Sequence, residues 1–171
     1  AGTGTNNYGI LMDTGAAVTS TGAANITLDG RGAGTAQGIY TTGAGNTLGG
    51  ASSTGNITLI ASTVSGADSI YLSGLAISGT GNLLLEPLNA ATTIGLAGGA
   101  GTFNLDATEL GFIQNGFANI TIGRADGTGA ITTGAWTVPA SANLTLQSPG
   151  AGSSGIAING ALTLGVGKNL T

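Results

Sequence analysis

Apolar residues in this chain come in short alternations with small polar ones. Ile57-Thr58-Leu59, Ile70-Tyr71-Leu72 and Leu75-Ala76-Ile77 succeed one another in one stretch. Leu144-Thr145-Leu146, Ile156-Ala157-Ile158 and Leu162-Thr163-Leu164 do so in another. A period of two marks a strand with one face buried. Each alternation is bounded by Gly, Asn or Ser, which form turns. The pattern predicts many short strands joined by tight turns.

The alternations recur as a block. Asn25-Ile26-Thr27-Leu28 is repeated identically at Asn56-Ile57-Thr58-Leu59. Variants follow at Asn82-Leu83-Leu84-Leu85, Asn119-Ile120-Thr121-Ile122 and Asn143-Leu144-Thr145-Leu146, and the chain ends on Asn169-Leu170-Thr171. Positions 25, 56, 82, 119, 143 and 169 give intervals of 31, 26, 37, 24 and 26 residues. An internal period of this size signals a repeat architecture. Three short strands per interval make one coil of a solenoid, each strand pairing in parallel with its copy about 4.8 Å away in the next coil. The expected fold class is all-β: a parallel β-solenoid of about six irregular three-strand coils. It is expected to be a single segment over 1–171, with coils starting near 25, 56, 82, 119, 143 and 169.

The longer intervals call for insertions. Extra glycine-rich loops are expected at 30–38 and 43–50. The coil 82–118 is read as three strands at Leu83/Leu85, Ile94/Leu96 and Phe103/Leu105, followed by an insertion. There Leu110, Ile113 and Phe117 fall at i, i+3 and i+7, which predicts a short helical insertion near 107–115. Asp106 or Thr108 would cap it and Asn115-Gly116 would end it. The expected core comprises Ile10, Met12, Val18, Ile26, Leu28, Ile57, Leu59, Ile70, Leu72, Leu75, Ile77, Leu83, Leu85, Ile94, Leu96, Phe103 and Leu105. It continues with Ile120, Ile122, Ile131, Val138, Leu144, Leu146, Ile156, Ile158, Leu162, Leu164 and Leu170.

Composition narrows the class. Glycine is 34 of 171 residues, but not at every third position, and there are only 3 prolines, so collagen is excluded. The chain is 41% hydrophobic and 6% charged, the reverse of a disordered composition. Three basic residues against seven acids cannot neutralise a run of phosphates, so no nucleic acid is expected as a partner. No apolar run approaches the ~20 residues of a membrane span, so no membrane insertion is expected. There is no cysteine; with the Gly, Thr and Asn bias this points to an extracellular chain. Ala1-Gly2-Thr3-Gly4-Thr5 lacks the basic and apolar regions of a leader. The chain is therefore expected to be processed or part of something longer.

The recurring Asn25, Asn56, Asn82, Asn119, Asn143 and Asn169 are expected to stack as a structural ladder. Five of them, all but Asn82, also fit the Asn-x-Thr glycosylation acceptor. The ladder is preferred, because the asparagine keeps its place at Asn82, where the threonine is lost. Asp126-Gly127-Thr128-Gly129 lacks the tandem spacing of a calcium repeat and is read as a turn. With no His or Cys there is no imidazole base, thiolate or zinc set. The seven acids (Asp13, Asp29, Asp68, Asp106, Asp126, Glu86 and Glu109) are too dispersed to nominate a glycosidase pair. No catalytic residue, metal site or cofactor is expected, and the chain is not read as an enzyme. Thr27, Thr58, Thr121 and Thr145 recur as single outward threonines, which fits ice binding poorly.

The Asn-Ile-Thr-Leu coils, with Gly160-Ala161-Leu162-Thr163-Leu164-Gly165, resemble the repeat region of filamentous-haemagglutinin-like bacterial surface proteins. The stretch from Leu105-Asp106-Ala107-Thr108-Glu109-Leu110 through Ile120-Thr121-Ile122-Gly123-Arg124-Ala125-Asp126-Gly127 carries the more specific part. The resemblance implies a right-handed β-helix and adhesion or an extracellular scaffold at the bacterial cell surface. It carries over no binding residue. The expected function is structural: a surface fibre, stalk or matrix filament. The expected partner is the protein itself, as head-to-tail copies or as neighbouring coils of a longer chain, because neither end shows a cap. The alternative is an adhesin or binding module for glycan or a host surface, for which Tyr8, Tyr40, Tyr71 and Trp136 are the aromatic candidates.

Overall fold

The computed structural model describes residues 7–62, 68–150 and 155–171. The first five residues, on which the reading of a missing leader rests, lie outside them. The first coil holds β1 (Ile10–Met12) and β2 (Ala17–Thr19). The second holds β3 (Ile26–Arg31), β4 (Ile39–Thr41) and β5 (Asn46–Gly49). The third holds β6 (Ile57–Ser62), β7 (Ile70–Tyr71) and β8 (Leu75–Ser78). The fourth is the longest, with β9 (Asn82–Pro87), β10 (Ile94–Leu96), β11 (Phe103–Leu105) and the single-turn α1 (Ala107–Leu110). Next come β12 (Asn119–Gly123), β13 (Ile131–Thr133) and β14 (Trp136–Thr137). The last coil holds β15 (Asn143–Gln147), β16 (Ile156–Ile158) and β17 (Leu162–Thr163).

Among the described residues every strand pairing is parallel, and the chain is a β-solenoid with three faces. The first face stacks β3, β6, β9, β12 and β15, and Leu170 adds a bridge to Leu144. Its register joins Ile26, Ile57, Leu83, Ile120 and Leu144 in one column and Leu28, Leu59, Leu85, Ile122 and Leu146 in the next but one. The repeated tetrapeptide dictates this register. A slip of one residue would turn both apolar columns outward and the threonines inward. From Ile57 to Leu144 the first column is fully buried, and each such side chain contributes about 1.5–3 kcal/mol relative to an exposed one.

The second face departs from the expected coil. Ile94–Leu96 and Phe103–Leu105 do not lie on successive faces; they pair with each other, Ile94 opposite Phe103 and Leu96 opposite Leu105. The chain leaves β10, reverses through Ala97 (φ 51°) and Gly98 (φ 91°), and returns one layer lower. Left-handed backbone at two consecutive positions makes the turn tight, and Gly98 adopts it without the Cβ clash that Ala97 must bear. The bonds Gly99 N–H to Leu96 O (3.0 Å) and Ala97 N–H to Leu105 O (2.8 Å) close it. β11 thus enters the stack between β7 and β10; Ser69 N–H donates to Thr102 O at 2.9 Å on its lower side. Among the described residues the second face is made of two sheets, β1-β4-β7 and β11-β10-β13-β16, joined where Ser69 meets Thr102.

The third face has β2, β5 and β8, then a bridge from Ile77 to Ile113, and finally β14 with β17. Half of the expected loop at 43–50 is strand β5, because Leu48 turns inward between Val18 and Ile77. The helical insertion is present but ends at Gly111, before Asn115-Gly116. Residues 112–114 instead pair with Ile77: Ile77 N–H donates to Phe112 O and Gln114 N–H to Ile77 O. Leu110, Ile113 and Phe117 are all buried, as their spacing suggested, but they are distributed over a helix, a bridge and a turn. Among the described residues no helix is long and apolar enough to cross a membrane.

Candidate functional site

The six asparagines form one column on the corner that precedes the first face. Asn25 Oδ1 accepts from Asn56 N–H at 2.8 Å, and Asn56 Oδ1 from Asn82 N–H at 3.1 Å and Asn82 Nδ2 at 3.0 Å. Asn119 Nδ2 donates to Asn82 Oδ1 (2.7 Å), Asn143 Nδ2 to Asn119 Oδ1 (3.0 Å), and Asn169 N–H to Asn143 Oδ1 (3.1 Å). The amide oxygens of Asn25, Asn56, Asn82, Asn119 and Asn143 each satisfy a donor one coil further on. At Asn119 and Asn143 the Nδ2 that a glycan would occupy is already a donor in the column. A second, unexpected asparagine device lies inside: buried Asn46 accepts from Ala16 N–H at 3.0 Å and donates to Thr42 O at 2.8 Å. Its only sequence signal is a turn-forming residue directly before the alternation Thr47-Leu48.

The aromatic candidates separate. Trp136 is 7% exposed and belongs to the core, away from the tyrosines. Tyr8, Tyr40 and Tyr71 lie on the outside of the second face as one stack. The ring centroids of Tyr8 and Tyr40 are 4.4 Å apart with an interplanar angle of 11°, and those of Tyr40 and Tyr71 are 5.1 Å apart at 16°. These spacings match the distance between neighbouring strands, because Tyr40 and Tyr71 occupy the same register position in β4 and β7. The rings cover one another's faces and turn their edges outward. Tyr71 is 41% exposed. A sugar would find stacking surface only at the two ends of the stack.

The threonine row is one residue wide. Thr27 pairs with Thr58 and Thr121 with Thr145, but Leu84 stands between Thr58 and Thr121. The row is therefore neither continuous nor doubled.

Four of the acids, Asp29, Asp106, Glu109 and Asp126, hold ion pairs or a helix cap, and Asp68 lies close enough to Asp106 and Glu109 for their charges to act on one another. Asp29 pairs with Arg31 at 2.8 Å, and Asp126 with Arg124 at 2.8 Å; each arginine holds its carboxyl below the ordinary value. Arg124 also reaches across to Leu88 O at 2.9 Å, tying the fifth coil to the fourth. Glu109 is 6% exposed. It closes a capping box with Asp106: its Oε2 accepts from Asp106 N–H and its backbone N–H donates to Asp106 Oδ1, both at 2.8 Å. Its Oε1 accepts from Leu72 N–H, also at 2.8 Å, so the helix turn is bolted to β7's end. Burial pushes the Glu109 carboxyl above its ordinary value, more than those two N–H groups pull it down. Burial likewise raises Asp68, with Asp106 adding to the rise, and Glu86. Among the described residues no three His, Cys, Asp or Glu side chains are grouped to hold a metal ion.

Two further surfaces bear on function. A groove of about 520 Å³ runs between α1 with its following turn and β14, lined by Leu110, Ile113, Gln114, Trp136, Val138 and Pro139 among others. Its origin is the surplus strand β11. That strand adds a layer to the second face, the third face gains none, and no backbone bond joins 112–114 to β14. Trp136 and Val138 donate to Ala161 O and Thr163 O on the β17 side, so by alternation Thr137 turns its N–H and C=O toward the groove. The groove is bracketed by Ala140 N–H to Asn115 Oδ1 and Gly116 N–H to Ser141 Oγ, each 2.7 Å.

The other surface is the face of the last coil. Ile156, Ile158 and Leu170 continue the inward columns of Ile131, Thr133 and Leu144. Yet they are 45%, 49% and 43% exposed, against the sequence expectation of burial, because no coil among the described residues lies over them. Comparison of the chain with models of known families, with curated proteins and with solved structures finds no match.

Proposed function

We propose that this chain is a structural β-solenoid segment of an extracellular, bacterial-surface protein, acting in a fibre, stalk or matrix filament that grows coil on coil. The observation that carries the reading is the apolar face of the last coil. Ile156, Ile158 and Leu170 stand in line with filled core columns, and the asparagine column reaches the same level at Asn169. A further coil of the same kind would bury those residues and continue both columns. It would come from neighbouring coils of a longer chain or from a second copy in a head-to-tail contact, which gives open fibres rather than closed rings. The engagement of Asp29 and Asp126 in ion pairs and of Asp106 and Glu109 in a helix cap supports a structural role over an enzymatic one. The mutual covering of the tyrosine faces, and the break at Leu84 in the threonine row, weigh against glycan stacking and ice binding.

Electron microscopy of the purified chain across a concentration series tests self-stacking. Rods that lengthen with concentration are expected. Ile158→Asp, at an exposed position that needs no burial to fold, is expected to leave single short particles. Wild-type particles that stay short and uniform at every concentration would overturn head-to-tail assembly.

A further inference from the structure

The stack Tyr8–Tyr40–Tyr71 spans three successive coils, and neither the core nor the asparagine column needs it. Its geometry is specific. Tyr40 and Tyr71 are fixed by strand register. Tyr8 precedes β1 and is held over Tyr40 by the bonds Gly9 N–H to Gln37 O (3.2 Å) and Ile10 N–H to Gly38 O (2.8 Å). Packing the ring faces on one another leaves the edges outward, and a tyrosine's edge carries the phenol and the two carbons beside it. Those are the atoms that react when a phenol is oxidised by one electron.

We infer that this stack is a site of oxidative modification, at which Tyr40 is joined to Tyr71 or Tyr8 as an intramolecular dityrosine that locks adjacent coils together. The co-reactant is a one-electron oxidant of the haem-peroxidase class with hydrogen peroxide. Each of two phenols loses one electron and one proton to give a phenoxyl radical. The two radicals join through a new carbon–carbon bond between the carbons ortho to oxygen. Each of those carbons then gives up its hydrogen while its phenol oxygen regains one, restoring both aromatic rings. The sum is loss of two electrons and two protons, which convert one hydrogen peroxide to two waters. Holding the rings at 4.4–5.1 Å makes the coupling effectively unimolecular, so in dilute solution it outruns coupling between molecules. The inference stands whether or not the coils stack between copies.

The test is treatment of the dilute, folded full chain with peroxidase and hydrogen peroxide. The readouts are dityrosine fluorescence, intact mass and cross-linked peptides. The expected product is monomeric, lighter by two hydrogen atoms, and contains Tyr40. Tyr40→Phe keeps the ring stack but removes the phenol, and it is expected to reduce the monomeric product to background. Tyr71→Phe is expected to leave a Tyr8–Tyr40 link, and Tyr8→Phe a Tyr40–Tyr71 link. Three results would overturn the inference: cross-links only between molecules, a monomeric cross-link of equal yield in Tyr40→Phe, or equal yield from the chain unfolded in denaturant. So would an absence of product under conditions that couple free tyrosine.

Discussion

Replacing Glu109 by alanine tests how the irregular fourth coil is held. The carboxylate serves two donors at 2.8 Å, Leu72 N–H at the end of β7 and Asp106 N–H at the start of α1. Leu72 is buried, so its N–H cannot turn to water; leaving such a donor without an acceptor costs about 1–3 kcal/mol. Losing the helix cap at the more exposed Asp106 adds about 1 kcal/mol. A loss of about 2–4 kcal/mol is expected, which for a chain of this length lowers Tm by roughly 5–15 °C. The effect depends on pH with a definite sign. The folded-state value for Glu109 is raised above its ordinary 4.5, through burial first, so the folded protein binds that proton more tightly than the unfolded chain does. The proton-linked part of its contribution is therefore fully present below pH 4.5 and is lost as pH rises through the raised value. The wild type gains from acidification toward 4.5 and the alanine variant lacks that gain, so their difference should be larger at pH 5 than at pH 8. Thermal melts at the two pH values, with hydrogen exchange at the Leu72 amide, check this. A Tm within 2 °C of wild type together with unchanged Leu72 protection, or a difference that shrinks on acidification, would refute the account of Glu109 as a buried bolt.

Other positions separate the remaining forces. Thr133 turns a fully buried hydroxyl inward without a partner, between Leu96 and Ile158 in register. Thr133→Val keeps the shape and is expected to stabilise the rod by about 1–2 kcal/mol in a denaturant melt; a loss would mean that the hydroxyl is satisfied. Leu59→Ala, in the middle of a filled column, should cost about 3–5 kcal/mol, whereas Leu28→Ala, only half-buried, should cost well under half of that in the same melt. Asn119→Ala removes two column bonds and should cost about 1–2 kcal/mol, while Thr121→Ala, which destroys only the glycosylation acceptor, should leave the melt unchanged. Equal effects of these two would argue against the column as a source of stability. Gly123 has φ 105°, and a Cβ there would fall on Gln147 O. Gly123→Ala should therefore disrupt the β12–β15 ladder, read as lost amide protection in β15.

The vertical order of this rod is legible in the sequence, and its lateral order is not. A repeated tetrapeptide with a fixed inward pair can stack in only one register, so the first face follows from Asn25, Asn56, Asn82, Asn119 and Asn143 alone. The tyrosine stack was legible by the same rule: Tyr40 and Tyr71 are 31 residues apart, the same interval that separates Asn25 from Asn56. What the residues do not encode locally is which face receives a strand. Ile94-Gly95-Leu96 and Phe103-Asn104-Leu105 are ordinary inward alternations, and each would serve on any face. Their true relation depends on Ala97 and Gly98 in left-handed backbone, which turns the chain back instead of around the corner. Two signals bore on it: the 37-residue interval, 11 longer than the 26 of a plain coil, and the glycines at 98, 99 and 101. They announce surplus chain without saying where it goes. The groove beside Trp136 has the same cause. Once β11 adds a layer to one face and none is added to another, the coil above must be lifted on one side. The space left over is filled in part by α1 and Trp136, and it opens to solvent along Thr137. An irregular interval in a repeat thus marks the coil where a solenoid acquires its non-repetitive surface. Here that single coil holds the helix, the buried carboxylate and one wall of the groove.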